Sequence, residues 1–398
     1  MKIENILENP DTSLMYMERM VNDGSPSKFS FVNITSRDTS PLFVDSFFLC
    51  GAVCDKSSLV TFGTSDLEFV QADYLLVHPD WKTKDPFFSV IDTEIMVAPT
   101  SSSRTVKIIN EDAYIKLFYP GVLGRITREL REEHILSSID ITNILTNLIE
   151  DNLVPQTFSF LPERCGKLLK HEHGDIGYIV RDSRPLGKQT KQIEALIPAF
   201  SLFSRDRQSD DLPIIVQIID KKKDKNDFLM EQLILPLIDC YFSCVFNGGI
   251  QPELHSQNFL VGVNSDCDIV SLVLRDLDSV DKDLEILSKL NSTIELKSKP
   301  YKCISSEQDN YRIKHSFMYD HKLGEYFFDE LLKCIHNYGV TTSARIQKYI
   351  KTYVQQKYGE QLKGFFPDNQ HWYKFQNVLI DRRKTSRPYE CHPNPKYR

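Results

Sequence analysis

The segment 253-ELHSQNFLVGVNSDCDIVSLVLRDLDS-279 decides how this chain is read. Glu253, His255, Gln257 and Asn258 open onto the apolar run NFLVGV. An Asn-Ser-Asp turn follows, and a second run, DIVSLVLRD, leads into Arg275-Asp276-Leu277-Asp278. Two apolar runs on either side of a short turn predict an antiparallel hairpin. Such a hairpin brings the residues before its first strand beside those that end its second. The pattern therefore places Glu253 and Asn258 near Asp276 and Asp278. Hard cations take oxygen ligands, and Mg2+ typically binds one or two carboxylates, an amide oxygen and substrate phosphates. Asp, Asn and Gln at strand ends are also ordinary turn formers, and R-D-L-D alone carries little. Six polar residues flanking one hairpin are what favour a metal site.

A metal site that also holds phosphates needs cations. The chain offers them in 102-SSRT-105, Lys116 and Arg128, the two later cations following at intervals of 11 and 12 residues. Small hydroxyl residues beside an Arg suit a turn whose N–H groups and side chains cradle phosphate oxygens. Taken singly, each cation reads as an ordinary surface charge, Arg128 most of all because it opens a charged segment.

Around this centre the pattern is α+β. LMYMERMVND reads as a first helix, and FSFVNI, LFVDSFFLC and DYLLVH read as short strands. Asn110 either caps a helix over EDAYIKLFY or precedes a strand of good strand formers. The apolar residues of 126–152 recur at helical intervals, predicting a helix there. From 160 to 220 the reading is mostly strands and turns, including 176-IGYIVRD-182, 195-ALIPAFSLFS-204 and 213-PIIVQIID-220. A long apolar helix over 228–247 contains Pro236 and ends at Gly248-Gly249. Two more helices over 324–339 and 343–360 lead to a basic tail. The expected division is 1–95, 96–225 and 226–398.

With 398 residues and 46.1 kDa the chain can bury a full core. A net charge of −7 argues against a nucleic-acid binder, and Lys221-Lys222-Lys223 reads as a solvated loop. Nine cysteines, none in a C-x-x-C pair, predict free thiols in a reducing compartment and no structural zinc. The spacings Cys50/Cys54 and Cys240/Cys244 suit one face of a helix. No secretory leader and no uninterrupted apolar run of bilayer-spanning length is visible, so the expectation is a cytoplasmic protein without membrane contact. His171 and His173 read as exposed loop residues, Tyr114 and Phe118 as core. His78 is expected to pack beside Trp81 and bond a backbone carbonyl.

With these pieces in place the chain resembles the IucA/IucC family, the NRPS-independent siderophore synthetases. His78-Pro79-x-Trp81 looks like part of the family's H-P-W-Q block, and Ser101-Ser102-Ser103-Arg104-Thr105 resembles its phosphate loop. Lys116 and Arg128 follow at the family's spacing, and E-x-H-x-Q-N (253–258) with R-D-x-D (275–278) resembles its last two blocks. The resemblance implies a palm–fingers–thumb architecture with a mixed or antiparallel sheet and a helical C-terminal part. It also implies use of ATP with Mg2+ to adenylate a carboxylate, often citrate, for capture by an amine, hydroxylamine or alcohol. Ser102, Ser103, Arg104, Thr105, Lys116, Arg128, Gln257 and Asn258 would contact ATP. Glu253, Asn258, Asp276 and Asp278 would surround Mg2+. His255, Lys116 and Arg128 would act in catalysis, with His255 and Gln257 toward the reacting carboxylate or the phosphates. Lys374 or Arg383 in the tail would meet a carboxylate. A homodimer is left open.

The family's upstream G-H-P-x-H-P block is not found here. That keeps a non-catalytic nucleotide binder as one alternative. A kinase-like phosphotransferase is another, although E-L-H-S-Q-N and R-D-L-D differ from the kinase patterns H-x-D-x-x-x-x-N and D-F-G, and no Gly-rich loop precedes Lys116.

Overall fold

The computed structural model describes residues 1–25, 36–83, 88–123, 126–290, 295–340, 343–373, 389–392 and 394–398. FSFVNI, Lys374 and Arg383 lie outside them. Eight strands form one antiparallel sheet. In spatial order they are Leu59–Gly63, Cys165–Leu169, Ile176–Asp182, Ala113–Leu117, Thr105–Ile108, Ser89–Pro99, Phe47–Val53 and Tyr74–Val77. The strand Ser89–Pro99 runs across residue 95, so this sheet draws on both sides of the expected 95/96 division. EDAYIKLFY supplies the central strand Ala113–Leu117. Asn110 is not a helix cap: at φ 69° it sits in the turn that feeds this strand, a backbone conformation Asn tolerates better than most residues.

A second sheet orders Leu186–Gly187, Phe158–Phe160, Ile269–Leu274, Phe259–Val263 and Ala195–Pro198. Its centre is the anticipated hairpin, in register with Phe259 opposite Leu274 and Val261 opposite Leu272. Both strands are buried along their whole length, which explains two continuous apolar runs in place of alternation. Asn264 closes the turn by accepting from the N–H groups of Asp266 (3.0 Å) and Asp268 (2.8 Å).

The helix Glu132–Glu150 joins the two sheets. It starts later than its apolar period suggests, because Ile126–Arg128 is a short strand paired with Tyr119–Leu123. Near its start Ile135 presses onto the eight-stranded sheet at Gly166 and Gly177. A Cβ on Gly166 would come within 2.6 Å of the Ile135 side chain, so the close helix–sheet approach needs glycine there. Further along, Ile141, Ile144, Leu145 and Leu148 enter the main apolar core with the C-terminal helices.

The run 213–220 corrects the strand reading: Ile214–Asp220 is a helix with five of its seven residues buried. A short apolar run without polar alternation does not distinguish the two states. The long helix is continuous from Lys225 to Gly248, with a π-helical stretch Leu229–Ile234 just before Pro236 and Gly249 as its left-handed cap (φ 61°). By length and composition it is apolar enough to cross a membrane, which the sequence reading did not anticipate. However, 67% of its most apolar window is buried inside the protein, as in a core helix. The first of the two following helices also starts earlier, with Tyr311–Ser316 running into a π-helical Phe317–Asp329, whereas the second, Ser343–Tyr358, starts where its pattern does.

The described cysteines are free thiols. Cys240 and Cys244 do share a helix, but Cys50 lies in the strand Phe47–Val53 and Cys54 just after it. His78 is buried against the rings of Phe47 (5.5 Å) and Tyr119 (5.0 Å), not Trp81, and its Nδ1 accepts from the Asp80 N–H at 3.2 Å. Burial holds it neutral, pushing its pKa down to about 4. Below about pH 6.5 the unfolded imidazole takes a proton that the folded one refuses until about pH 4. Stability is therefore lost as pH falls through this window, by up to roughly 3 kcal/mol from this residue. His78→Asn should flatten the acid side of the stability–pH curve, read by urea melts between pH 7 and 4.5. An unchanged slope would contradict the assignment.

Candidate active site

The site forms where the eight-stranded sheet meets the hairpin. Register places Thr105 opposite Lys116 in the sheet, so the turn 100–104 ends beside the lysine. Thr100 Oγ1 donates to the Thr105 carbonyl (2.7 Å), and Ser102 Oγ accepts from the Thr105 N–H (2.9 Å). Ser103 adopts φ 64°, and among the described residues its buried hydroxyl has no hydrogen-bond partner. Arg104 is buried, and its guanidinium donates to the backbone carbonyls of Arg128 (3.3 Å) and Glu129 (3.4 Å). Arg128 is fixed by strand pairing with Tyr119, whose hydroxyl donates to Asp80 at 2.5 Å. Burial first, and the nearby Arg104 second, push the Arg128 pKa down to about 10. Among the described residues neither guanidinium has a carboxylate within ion-pair distance, although Asp276 and Asp278 lie close enough to act on both.

Lys116 is the junction. Its buried ammonium donates to Asp276 (2.6 Å) and to Asp278. The same Asp276 oxygen accepts from Arg181 at 2.9 Å, and Arg181 also binds Glu163 at 2.6 Å. Burial alone would raise the Asp276 carboxyl, but Lys116 and Arg181 outweigh it and hold the group well below the usual carboxylate range. Asp276 stands in the left-handed region, φ 73°, a conformation available to Asp because its short polar side chain bonds locally. The Asn258 amide donates to Ser279 Oγ (3.3 Å), and the Asn258 carbonyl accepts from the Arg275 N–H (2.8 Å), so the two ends of the hairpin do meet. Gln257 reaches Ser101 Oγ at 3.5 Å.

Glu253 faces another neighbour. It is ion-paired with Lys322 from the π-helical segment and lies 3.9 Å from His255. Burial opposes its charge, but Lys322, His255 and Lys302 prevail and bring its pKa to about 2. Burial pushes the His255 pKa down to about 4, against the pull of Glu253. The structure thus gathers Ser102, Arg104, Thr105, Lys116, Arg128, Asn258, Asp276 and Asp278 around one junction, with Glu253 and His255 beside it.

The overall chain trace places this cluster among known architectures. The chain has the fold of siderophore synthetases. It superposes on ATP-bound aerobactin synthetase IucA from a hypervirulent pathotype of Klebsiella pneumoniae with a TM-score of 0.66 at 15% identity, covering 89% of this chain and 70% of that one. Petrobactin biosynthesis protein AsbB from Bacillus anthracis str. Sterne gives 0.67 at 15%, covering 89% and 69%. Aerobactin synthetase IucC from the same Klebsiella pathotype gives 0.65 at 13%, covering 84% and 68%. No protein-family model matches the sequence, and no curated protein matches it. The α+β expectation with antiparallel and mixed sheets holds.

Two charged ligands can be tested against this donor set. Phosphate oxygens suit the orphaned Ser103 hydroxyl and two guanidinia that lack carboxylate partners. For a divalent cation, no three His, Cys, Asp or Glu side chains form a ready-made cage among the described residues. Mg2+ needs less protein than that: one or two carboxylates suffice when phosphates and water complete its shell. Asp276 and Asp278 already share a cation in the Lys116 ammonium, so their chemistry fits, with Asn258 as the adjoining amide.

Three residues that shape the site went unassigned in the sequence: Arg181, Glu163 and Glu18. Each left a trace. Arg181 ends the otherwise apolar IGYIV run. Glu18 interrupts the helical face of Leu14, Met17 and Val21, all buried in the structure, and a carboxylate on a buried helix face must have a partner.

Proposed function

We propose that this protein is an ATP-dependent synthetase of siderophore type. In this reading it activates a carboxylate as its acyl-adenylate, releasing pyrophosphate, then transfers the acyl group to an amine, hydroxylamine or alcohol, releasing AMP. The observation that carries this is the Lys116 junction: a lysine holding two carboxylates, flanked by Arg104 and Arg128 without carboxylate partners, in a fold shared with an ATP-bound synthetase. We assign Ser102, Ser103, Arg104, Thr105, Lys116 and Arg128 to the phosphates, with Gln257 and Asn258 at their edge.

Asp276, Asp278 and Asn258 would hold Mg2+, with Glu253 as a further carboxylate beside them. A bound Mg2+ supplies positive charge against the negative charge gathering on phosphate oxygens. The chain's own part is to keep Arg104, Arg128 and Lys116 fixed before reaction, so that no reorganisation is needed as charge builds. His255, held neutral by its burial, offers a hydrogen bond to the reacting carboxylate or phosphate. A three-lobed arrangement without the boundary at 95/96, which the strand Ser89–Pro99 crosses, a cytoplasmic location and small-molecule partners, with neither nucleic acid nor membrane, belong to the same proposal.

Product analysis tests it. The protein is incubated with ATP, Mg2+, a panel of di- and tricarboxylates with citrate first, and hydroxylamine as trap. The expected products are AMP and pyrophosphate, dependent on one carboxylate. ADP would point to a phosphotransferase, and ATP binding without turnover to a non-catalytic binder.

A further inference from the structure

Glu18 closes a ring of polar contacts linking the phosphate turn to the hairpin. It lies in the helix Pro10–Met20 and is 1% exposed. One carboxylate oxygen accepts from Arg275 at 2.5 Å. The other accepts from Ser101 twice, from its N–H at 3.2 Å and from its hydroxyl at 2.7 Å. Arg275 Nε donates to the Gln257 carbonyl at 2.7 Å, and the Gln257 side chain returns to Ser101 Oγ at 3.5 Å. Ser101 begins the turn that carries Ser102, Arg104 and Thr105. Gln257 precedes Asn258, and Arg275 precedes Asp276. Every member of the ring except Glu18 is thus next to a residue that the functional reading assigns to phosphate or metal.

We propose that Glu18 is a positioning residue, setting the spacing between the phosphate-facing turn and the Asp276–Asp278 carboxylates. The inference rests on the reading of this site as one that binds ATP. Its physical basis is the division of labour between two oxygens. A residue that only neutralised Arg275 would not need both donors of Ser101 on its second oxygen; those two bonds orient the start of the turn. The helix that carries Glu18 is itself held, with Leu14 and Met17 buried and the Val21 carbonyl just past its end accepting from Ser201 (2.8 Å). The ring therefore inherits its geometry from a packed element, as a precise site requires. Aspartate, one methylene shorter, keeps the charge but cannot span from Arg275 to Ser101.

The test measures ATP binding by calorimetry, alongside melting temperature, for the wild type, Glu18→Asp, Ser101→Ala and Arg19→Ala. Glu18→Asp is expected to bind ATP about tenfold more weakly, and Ser101→Ala, which leaves the Glu18–Arg275 pair intact, about threefold more weakly. Arg19→Ala removes the bonds to Pro41 and Asp45 without touching the ring, so it should lower the melting temperature and leave ATP affinity unchanged. If Glu18→Asp fails to fold, Ser101→Ala decides. Wild-type affinity in folded Glu18→Asp and Ser101→Ala, or an equal loss in Arg19→Ala, would overturn the positioning role while leaving the ATP site standing. A wild type that binds no ATP would overturn the functional reading, and the role of Glu18 with it.

Discussion

Asp276→Asn should fold and should lose turnover by roughly 10²–10³-fold or more. Asparagine is the substitution the backbone accepts most readily at φ 73°, so the Asp276-Leu277-Asp278 turn should persist. What disappears is one negative charge at the meeting point of Lys116 and Arg181. Asp278 still pairs with Lys116, and Glu163 still pairs with Arg181. The cost in stability should therefore be about 2–3 kcal/mol, the scale of hydrogen bonds to charged groups. The functional loss is larger because the neutral amide brings no negative charge to Mg2+ or to the two cations. Thermal melts monitored by circular dichroism and the carboxylate-dependent release of pyrophosphate read the two effects separately. A folded variant with wild-type turnover would remove Asp276 from the metal site.

The hairpin was legible because its signal is strong and local: two apolar runs, a turn residue that closes on itself, and polar clusters at both ends. Register followed from the same pattern. The helix Ile214–Asp220 was not legible, because five apolar β-branched residues in a run of seven satisfy a buried strand and a buried helix equally well, and only packing chooses. The strand Ala113–Leu117 stood between two readings until its neighbours supplied ladders on both sides. At the site, the sequence indicated which residue types cluster but not their pairings. Glu253 comes beside the junction as expected, but its ion pair is with Lys322, a residue 69 positions later on a separate π-helical element. Arg181 and Glu18 act across long sequence separations and carry no motif, so only their misfit with an apolar neighbourhood could have drawn notice.

Lys116 should separate structure from function when it is replaced alone and then with a partner. It is buried, it touches both Asp276 and Asp278, and it stands opposite Thr105 in the sheet. Lys116→Met keeps the aliphatic volume and removes the charge, leaving Asp276 with Arg181 and Asp278 without an ion-pair partner among the described residues. Breaking a buried pair from one side costs about 3–5 kcal/mol, mostly from the charge left uncompensated. Adding Asp278→Asn removes one of those charges, so the double variant should regain much of that loss, with the coupling read from a double-mutant cycle of urea melts. Turnover should not return. The regained stability reflects charge balance within the protein, whereas ATP binding in this reading needs a cation facing the phosphates, and neither methionine nor asparagine supplies one. The expectation is a double variant close to wild type in stability whose ATP affinity stays at least tenfold weaker. Recovery of ATP affinity together with stability would mean that Lys116 is a strut for the hairpin and takes no part in holding phosphate.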